Sequence, residues 1–237
     1  MLPLPPLANL LAIRNTDPRK LQELEQKLTA SGDFKEIWRP TPQWLVAVKP
    51  LPDSTPDPQD CRSAGLAFIQ GREHFDDQNV GRHSHAAWQT LADTAHDRPE
   101  TLAQHPGDFA FLAFRPDHSV VAVRSCGGVA PVYFWQGTDS AIISTQMHRL
   151  SRNLPHTPQL DLMVCAVWMC LGRSLFPDRR TFVQDVRVLS RGELVQLHPG
   201  QAPRYTLYPD LEPDDIRAAL AYAARLSQIK RIETLAA

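Results

Sequence analysis

Residues 107–134 constrain the fold of this chain more than any other stretch of its sequence. An acidic Gly-Asp turn precedes a run in which Phe109 and Phe111 occupy alternate positions. A Pro-Asp turn, a second apolar run at residues 120–123 and a glycine-bearing bend then lead to a third run at residues 131–134. Alternating apolar positions around short turns predict three strands of an antiparallel meander.

Further strands and helices are predicted on both sides of this meander. The additional strands lie at residues 7–14, 44–48, 64–70, 141–144, 181–189, 193–197 and 204–208. Asp17-Pro18 and Gly32 bound a first helix, because proline suits the first helical position and glycine commonly ends a helix. Other helices are predicted at residues 84–91, 161–171 and 213–235. Many strands with few helices between them predict an α+β fold, with two stacked antiparallel sheets and helices outside.

The length of 237 residues fits one domain at residues 1–210, followed by a helical tail or linker at residues 211–237. With 25 basic and 26 acidic residues, and no basic run, nucleic acid is a poor candidate partner. The apolar opening segment carries three prolines and no basic residue, and it is too short to cross a bilayer. We therefore expect neither a signal peptide nor a membrane anchor.

The four cysteines show no paired spacing. Cys165 and Cys170 lie in the apolar helical run at residues 161–171, where we expect buried thiols. A reduced, cytoplasmic setting is the simplest interpretation of this cysteine usage.

Six segments, taken in order, resemble the glutaminase domain of the asparagine synthetase family. They are residues 68–75, 107–111, 128–134, 140–150, 180–194 and Arg204-Tyr205. Residues 107–111 match the family's Gly-x-Phe-Ala-Phe strand, and residues 128–134 match its Gly-x-x-Pro-Leu-Tyr-Tyr strand. The resemblance runs from about residue 65 to residue 209. It implies a class II glutamine amidotransferase-like domain with the αββα sandwich of N-terminal nucleophile hydrolases.

The family's active glutaminases use an N-terminal cysteine, whose thiol attacks the glutamine amide while its α-amine serves as the base. This chain begins Met1-Leu2, and the bulky leucine disfavours removal of the methionine. No Cys, Ser or Thr would then stand at the N-terminus. We therefore expect no catalytic residues and no glutaminase activity.

The resemblance also places a remodelled glutamine pocket. Its residues would be Gln70, Gly71, Arg72, His83 and Ser84. Gln70 stands where the family has its oxyanion asparagine, and Arg72 stands where it has a glutamate. The backbone N–H of Gly71 could still point into the pocket. The family's Ser-Asp pair falls near His83 and Ser84 without an acid, and its Arg-Gly-Pro-Asp clamp has no counterpart.

Relatives that make β-lactams or lasso-peptide macrocycles retain such a domain as a scaffold for an adenylating, amide-forming synthetase domain. The resemblance therefore implies a partner, an ATP-dependent synthetase domain or subunit of the ATP-pyrophosphatase type, docked through residues 213–235. A homodimer is the other possible assembly. No cofactor or metal is expected in this chain, since ATP and Mg²⁺ would belong to the synthetase domain.

Two other functions remain open at this stage. The remodelled pocket, lined by Gln70, Arg72 and His83, could bind a small molecule or a peptide. Alternatively, cleavage before Cys61 could expose a new N-terminal nucleophile and yield a hydrolase. His83 and His85 are better interpreted as pocket or surface histidines than as zinc ligands, because no closely spaced acid or cysteine completes a zinc site. The arginines at 179, 180, 187 and 191 could bind phosphate or form a solvated face.

Overall fold

A computed structural model describes residues 9–49, 63–68, 98, 108–124, 131–171 and 179–207. The strands in these ranges are β1 (Asn9–Asn15), β2 (Glu36–Thr41), β3 (Trp44–Lys49), β4 (Ser63–Phe68), β5 (Asp108–Phe114), β6 (Val120–Arg124), β7 (Tyr133–Gln136), β8 (Ser140–Ser144), β9 (Arg187–Val188), β10 (Glu193–Leu197) and β11 (Arg204–Leu207). The helices are α1 (Pro18–Ser31), α2 (Met147–Arg152) and α3 (Leu162–Leu171).

The strands form two sheets in which every pairing is antiparallel. The first sheet has the order β2-β3-β1-β8-β7-β9, and the second has the order β11-β10-β6-β5-β4. Alternate residues of both sheets, among them Leu10, Val46, Leu112 and Val195, share one buried apolar cluster. The sheets are therefore stacked face to face, and the predicted α+β fold with two antiparallel sheets is confirmed.

Helices cover the other face of the first sheet. Leu11 and Ile13 of β1 point away from the second sheet and pack with Leu21 of α1 and Leu150 of α2. The predicted ends of α1 are confirmed, because the Asp17 side chain accepts a hydrogen bond from the backbone N–H of Arg19. Gly32 ends the helix at φ 64°, a left-handed conformation that suits glycine.

The prediction of a single three-stranded meander at residues 107–134 is wrong in one respect. β5 and β6 pair as expected, but β7 joins the first sheet, where it pairs with β8 through a tight turn. Gly137 lets the Trp135 ring pack directly against this turn, since a Cβ atom there would lie 2.7 Å from the ring. The place beside β6 is taken by β10 instead.

The predicted strand at residues 181–189 is also wrong over most of its length, since only β9 forms. The hydroxyl of Thr181 contacts the carbonyl oxygens of Val183 and Val186 and accepts from the Val183 N–H. These local hydrogen bonds favour a turn over an extended strand.

The sequence did not predict strand β2, because β2 contains Pro40, which is unusual in a strand. Proline is tolerated there because β2 lies at the edge of its sheet.

The helices predicted at residues 84–91 and 213–235, and the domain boundary at residue 210, lie outside the described residues. None of the three described helices has the length and hydrophobicity that crossing a bilayer requires.

Candidate functional site

The predicted pocket residues do not fall in the described part of the chain. They are Gln70, Gly71, Arg72, His83 and Ser84. Cys61 and His85 also lie outside it. The pocket and its ligand therefore stay predictions.

Two buried hydroxyl groups lie beside the start of β1, and both are engaged with the backbone. Ser144 Oγ donates to the Leu10 carbonyl oxygen at 2.9 Å and accepts from the Gln146 N–H at 3.1 Å. Thr145 Oγ accepts from the Leu10 N–H at 3.1 Å. Within the described ranges neither hydroxyl contacts a histidine or an amine that could act as a base. Their role is to fasten β1 to the end of β8.

The described residues contain no group of three or more His, Cys, Asp or Glu side chains placed to hold a metal ion. Cys165 is half-buried and Cys170 is exposed, and both are free thiols. The prediction that Cys170 is buried is therefore wrong. The reason is that α3 does not lie inside the sandwich core, although its sequence is apolar throughout.

Helix α3 has the strongest helix-start signal in the second half of the described chain. The Asp161 side chain accepts hydrogen bonds from the backbone N–H groups of Met163 at 3.1 Å and Val164 at 3.2 Å. This N-cap satisfies donors that have no partner inside the helix. The helix predicted at residues 161–171 is confirmed.

Most of α3 faces solvent, although none of its ten residues is charged. Leu162 and Met169 are 76% and 79% exposed, and Met163 is more than half exposed. Together with exposed Ala166 and Cys170, these side chains recur at intervals of three and four residues and form one helical face. We call these five residues the α3 face. These exposed apolar side chains are thus grouped on one side of the helix.

The opposite side of α3 holds the helix in place. Val164 is buried, and the Trp168 ring meets the Phe182 ring edge-on at 5.9 Å. The preceding segment is tied to the same loop by backbone hydrogen bonds from Asp161 to Phe182 at 2.9 Å and from Gln184 to Gln159 at 2.8 Å. The α3 face is therefore presented on a fixed support.

A buried ion pair stands where the sequence raised the possibility of a phosphate site. Glu193 is fully buried, and its Oε1 accepts from Nε of Arg179 at 2.7 Å and from Nη2 of the same guanidinium. Its Oε2 accepts from the Ser190 N–H at 2.8 Å. The guanidinium also lies 4.1 Å from the centre of the Tyr205 ring. Arg179 is thus already paired and does not form part of a solvated arginine face.

The pKa values of Arg179 and Tyr205 are both shifted in this cluster. The hydrogen bond from Arg179 to Glu193 raises the pKa of Arg179. Burial raises the pKa of Tyr205, although the charges of Arg179 and Arg187 act in the opposite direction. The Tyr205 hydroxyl therefore stays neutral near pH 7 beside the pair of Arg179 and Glu193. The contacts of Arg179 and Glu193 thus tie the start of β10 to the loop before β9.

Neither family models nor curated protein sequences match this chain. Among solved structures, it is similar to glutamine phosphoribosylpyrophosphate amidotransferase from B. subtilis, complexed with ADP and GMP, with a TM-score of 0.43 and 11% identity over 86% of this chain and 50% of that chain. It is also similar to a structure described as the allosteric regulatory enzyme of purine biosynthesis, with a TM-score of 0.39 and 12% identity over 86% of this chain and 43% of that chain. The chain thus spans half or less of the length of these two structures.

Proposed function

We propose that this chain is a non-catalytic, class II glutamine amidotransferase-like domain of the asparagine synthetase type. In this proposal it acts as a docking subunit for an ATP-dependent, amide-forming synthetase domain. The observation that carries the docking role is the α3 face, an uncharged helical surface exposed to solvent. The engaged hydroxyls of Ser144 and Thr145 support the non-catalytic part of the proposal.

The chemistry of the α3 face sets what can cover it. Burying a leucine or methionine side chain contributes about 1.5–3 kcal/mol, so Leu162, Met163 and Met169 together favour association strongly. Because the face carries no charge and no hydrogen-bonding side chain apart from a thiol, its partner surface must be apolar as well. The spacing of three and four residues suits packing against another helix.

A synthetase domain is the occupant that the sequence supports best. The six segments that resemble the asparagine synthetase family end near residue 209, and the family's synthetase domain follows at that point. ATP and Mg²⁺ would bind to that partner, so this chain would supply neither phosphate-binding loop nor metal ligands. Its contribution would be a rigid apolar surface.

The purified protein is expected to release no ammonia from glutamine, because within the described ranges the buried hydroxyls of Ser144 and Thr145 are bonded to the backbone and have no base beside them. Ammonia release should be measured together with the intact mass of the same sample, with an active glutamine amidotransferase as the positive control. Ammonia production by a shortened chain that begins at a cysteine, such as Cys61, would show that the protein is a processed hydrolase instead.

Placing lysines at Leu162 and Met169 is expected to weaken binding of an ATP-pyrophosphatase-type synthetase domain by at least about 100-fold, since two apolar anchors are lost. Binding should be measured with immobilised wild-type and variant chains. The matched control adds the same charge to an exposed helix through Gln22→Lys and Gln26→Lys in α1, and it should bind normally.

Unchanged binding by the Leu162→Lys, Met169→Lys variant would remove the α3 face from the docking role. If the wild type binds no synthetase domain but forms dimers that this variant cannot form, the occupant is a second copy of the chain. Sedimentation of the isolated protein distinguishes these results.

A further inference from the structure

The side chain of Arg14 is buried, and its guanidinium group forms no ion pair with any acidic side chain in the described part of the chain. Arg14 lies in β1 and is 1% exposed. Leu10 and Ala12, at alternate positions of the same strand, belong to the core between the sheets, so the Arg14 side chain starts toward that core as well. In register beside it stand the large Trp44 of β3 and the small Ala141 of β8.

Most of the hydrogen-bonding capacity of this guanidinium is unused. Of its N–H groups, Nη2 donates to the Thr138 carbonyl oxygen at 3.5 Å, whereas Nε and Nη1 are buried with no partner among the described residues. Burial lowers the pKa of Arg14 and the charge of Asp139 raises it, but the two side chains form no ion pair. A buried charge of this kind is strongly unfavourable unless something pairs with it.

Gln136, two strands away, also has a buried polar atom without a partner among the described residues. Ala141 is in register with both Arg14 of β1 and Gln136 of β7, so the three residues form one row. Gln136 shares its face of β7 with Phe134, which belongs to the core between the sheets. Neighbouring strands lie about 5 Å apart, which puts the Cα atoms of Arg14 and Gln136 about 10 Å apart, with only the methyl group of Ala141 between them.

The orientation of the Gln136 amide is fixed by its hydrogen bonds. Its Nε2 donates to the carbonyl oxygens of His198 and Gln201, each at 2.9 Å. The oxygen Oε1 is therefore the atom that is buried without a partner in the described part of the chain. The row thus presents free donors and a positive charge at one end and a free acceptor at the other.

We propose that a small oxyanion carrying a hydroxyl group binds between Arg14 and Gln136, across Ala141. Its negative oxygens accept hydrogen bonds from the free N–H groups of Arg14, and its hydroxyl donates to Gln136 Oε1. Hydrogen phosphate and 2-hydroxycarboxylates both have this chemistry. Water alone would satisfy the hydrogen bonds but would leave the charge of Arg14 unpaired.

The first test compares thermal unfolding of the intact protein at pH 7 and constant ionic strength in four sodium salts. Phosphate and lactate carry the hydroxyl donor at this pH, whereas sulfate and acetate lack it. At about 100 times its dissociation constant, a bound anion is expected to raise Tm by about 5–10 °C. Sulfate and phosphate are both excluded from protein surfaces, so a larger shift with phosphate than with sulfate reports the specific site.

A larger rise in Tm with phosphate than with sulfate assigns a phosphate ligand. A rise in Tm with lactate but not with acetate assigns a hydroxycarboxylate ligand. Equal shifts in all four salts, or none, overturn the proposal.

The second test uses Arg14→Met, which removes the charge and keeps an unbranched side chain. Arg14→Met should abolish the difference between the Tm shifts that the four salts produce. The control Arg39→Met, which removes an exposed ion pair with Glu25, should keep that difference. A difference that persists in Arg14→Met overturns the proposal. If Arg14→Met does not fold, calorimetric titration of the wild type with sodium phosphate and with sodium lactate decides, because the proposal requires saturable binding of at least one of them.

Discussion

Replacing Arg179 with alanine is expected to destabilise the protein by about 3–5 kcal/mol, because the fully buried side chain of Glu193 would lose its cationic partner. The stacking of the guanidinium on Tyr205 is lost at the same time. Urea unfolding of the wild type and the variant measures the difference. The matched control is Arg39→Ala, which breaks an exposed pair with Glu25 and should change stability by no more than about 1 kcal/mol.

A double replacement separates the pair from the packing around it. Arg179→Met combined with Glu193→Leu removes both charges together, and it should recover most of the stability that Arg179→Ala loses, since buried pairs are commonly replaceable by apolar side chains. Equal losses for Arg179→Ala and Arg39→Ala would contradict the buried character of this pair.

Truncating Trp44 to alanine is expected to destabilise the protein by about 3–5 kcal/mol, since Trp44 is fully buried in the core between the sheets. Its ring meets Phe114 of the second sheet edge-on at 5.3 Å. Its indole Nε1 donates to the His118 carbonyl oxygen at 2.8 Å. Trp44 therefore joins the sheets by both packing and a hydrogen bond, and chemical unfolding should show the loss directly.

Two comparison variants locate the origin of that effect. Trp44→Phe keeps an aromatic ring in the core but removes the hydrogen bond to the His118 carbonyl oxygen. It should therefore lose less stability than Trp44→Ala. Trp168→Ala should reduce the free energy of unfolding even less, because Trp168 on α3 is half exposed. If Trp168→Ala is as damaging as Trp44→Ala, then α3 is packed against other surface in solution and the α3 face is not free.

Local sequence signals predicted the elements that depend on neighbouring residues. Asp17, Pro18 and Gly32 bound α1 because a cap, a fixed φ and a left-handed residue act within one turn of the helix. Alternation also identified most of the described strands, but it missed β2 and predicted a strand at residues 181–189 where only β9 forms. Strand neighbours were not readable from it, because alternation does not say whether β7 or β10 lies beside β6. That choice depends on contacts between residues far apart in sequence.

Burial of α3 could not be predicted for a related reason. An uninterrupted apolar helix has the composition of a core helix, so the sequence favoured buried thiols at Cys165 and Cys170. Among the residues that the structure describes, the loop around Phe182 supports one side of α3, and the α3 face is exposed. The unpaired row at Arg14, Ala141 and Gln136 left no local signal either, because its members come together only through the pairing of three strands.

The central position of β1 has a consequence for synthesis on the ribosome. β1 can pair with β3 soon after both are made, but its other neighbour, β8, is made much later, and the Thr145 hydroxyl that follows β8 comes 135 positions after Leu10, which it binds. At translation rates of roughly 5–20 residues per second, that interval is on the order of ten seconds. Throughout it, one edge of an apolar strand can template the wrong pairing. The nascent chain is thus most vulnerable before Ser144 is made, and protecting that edge is a natural task for a chaperone.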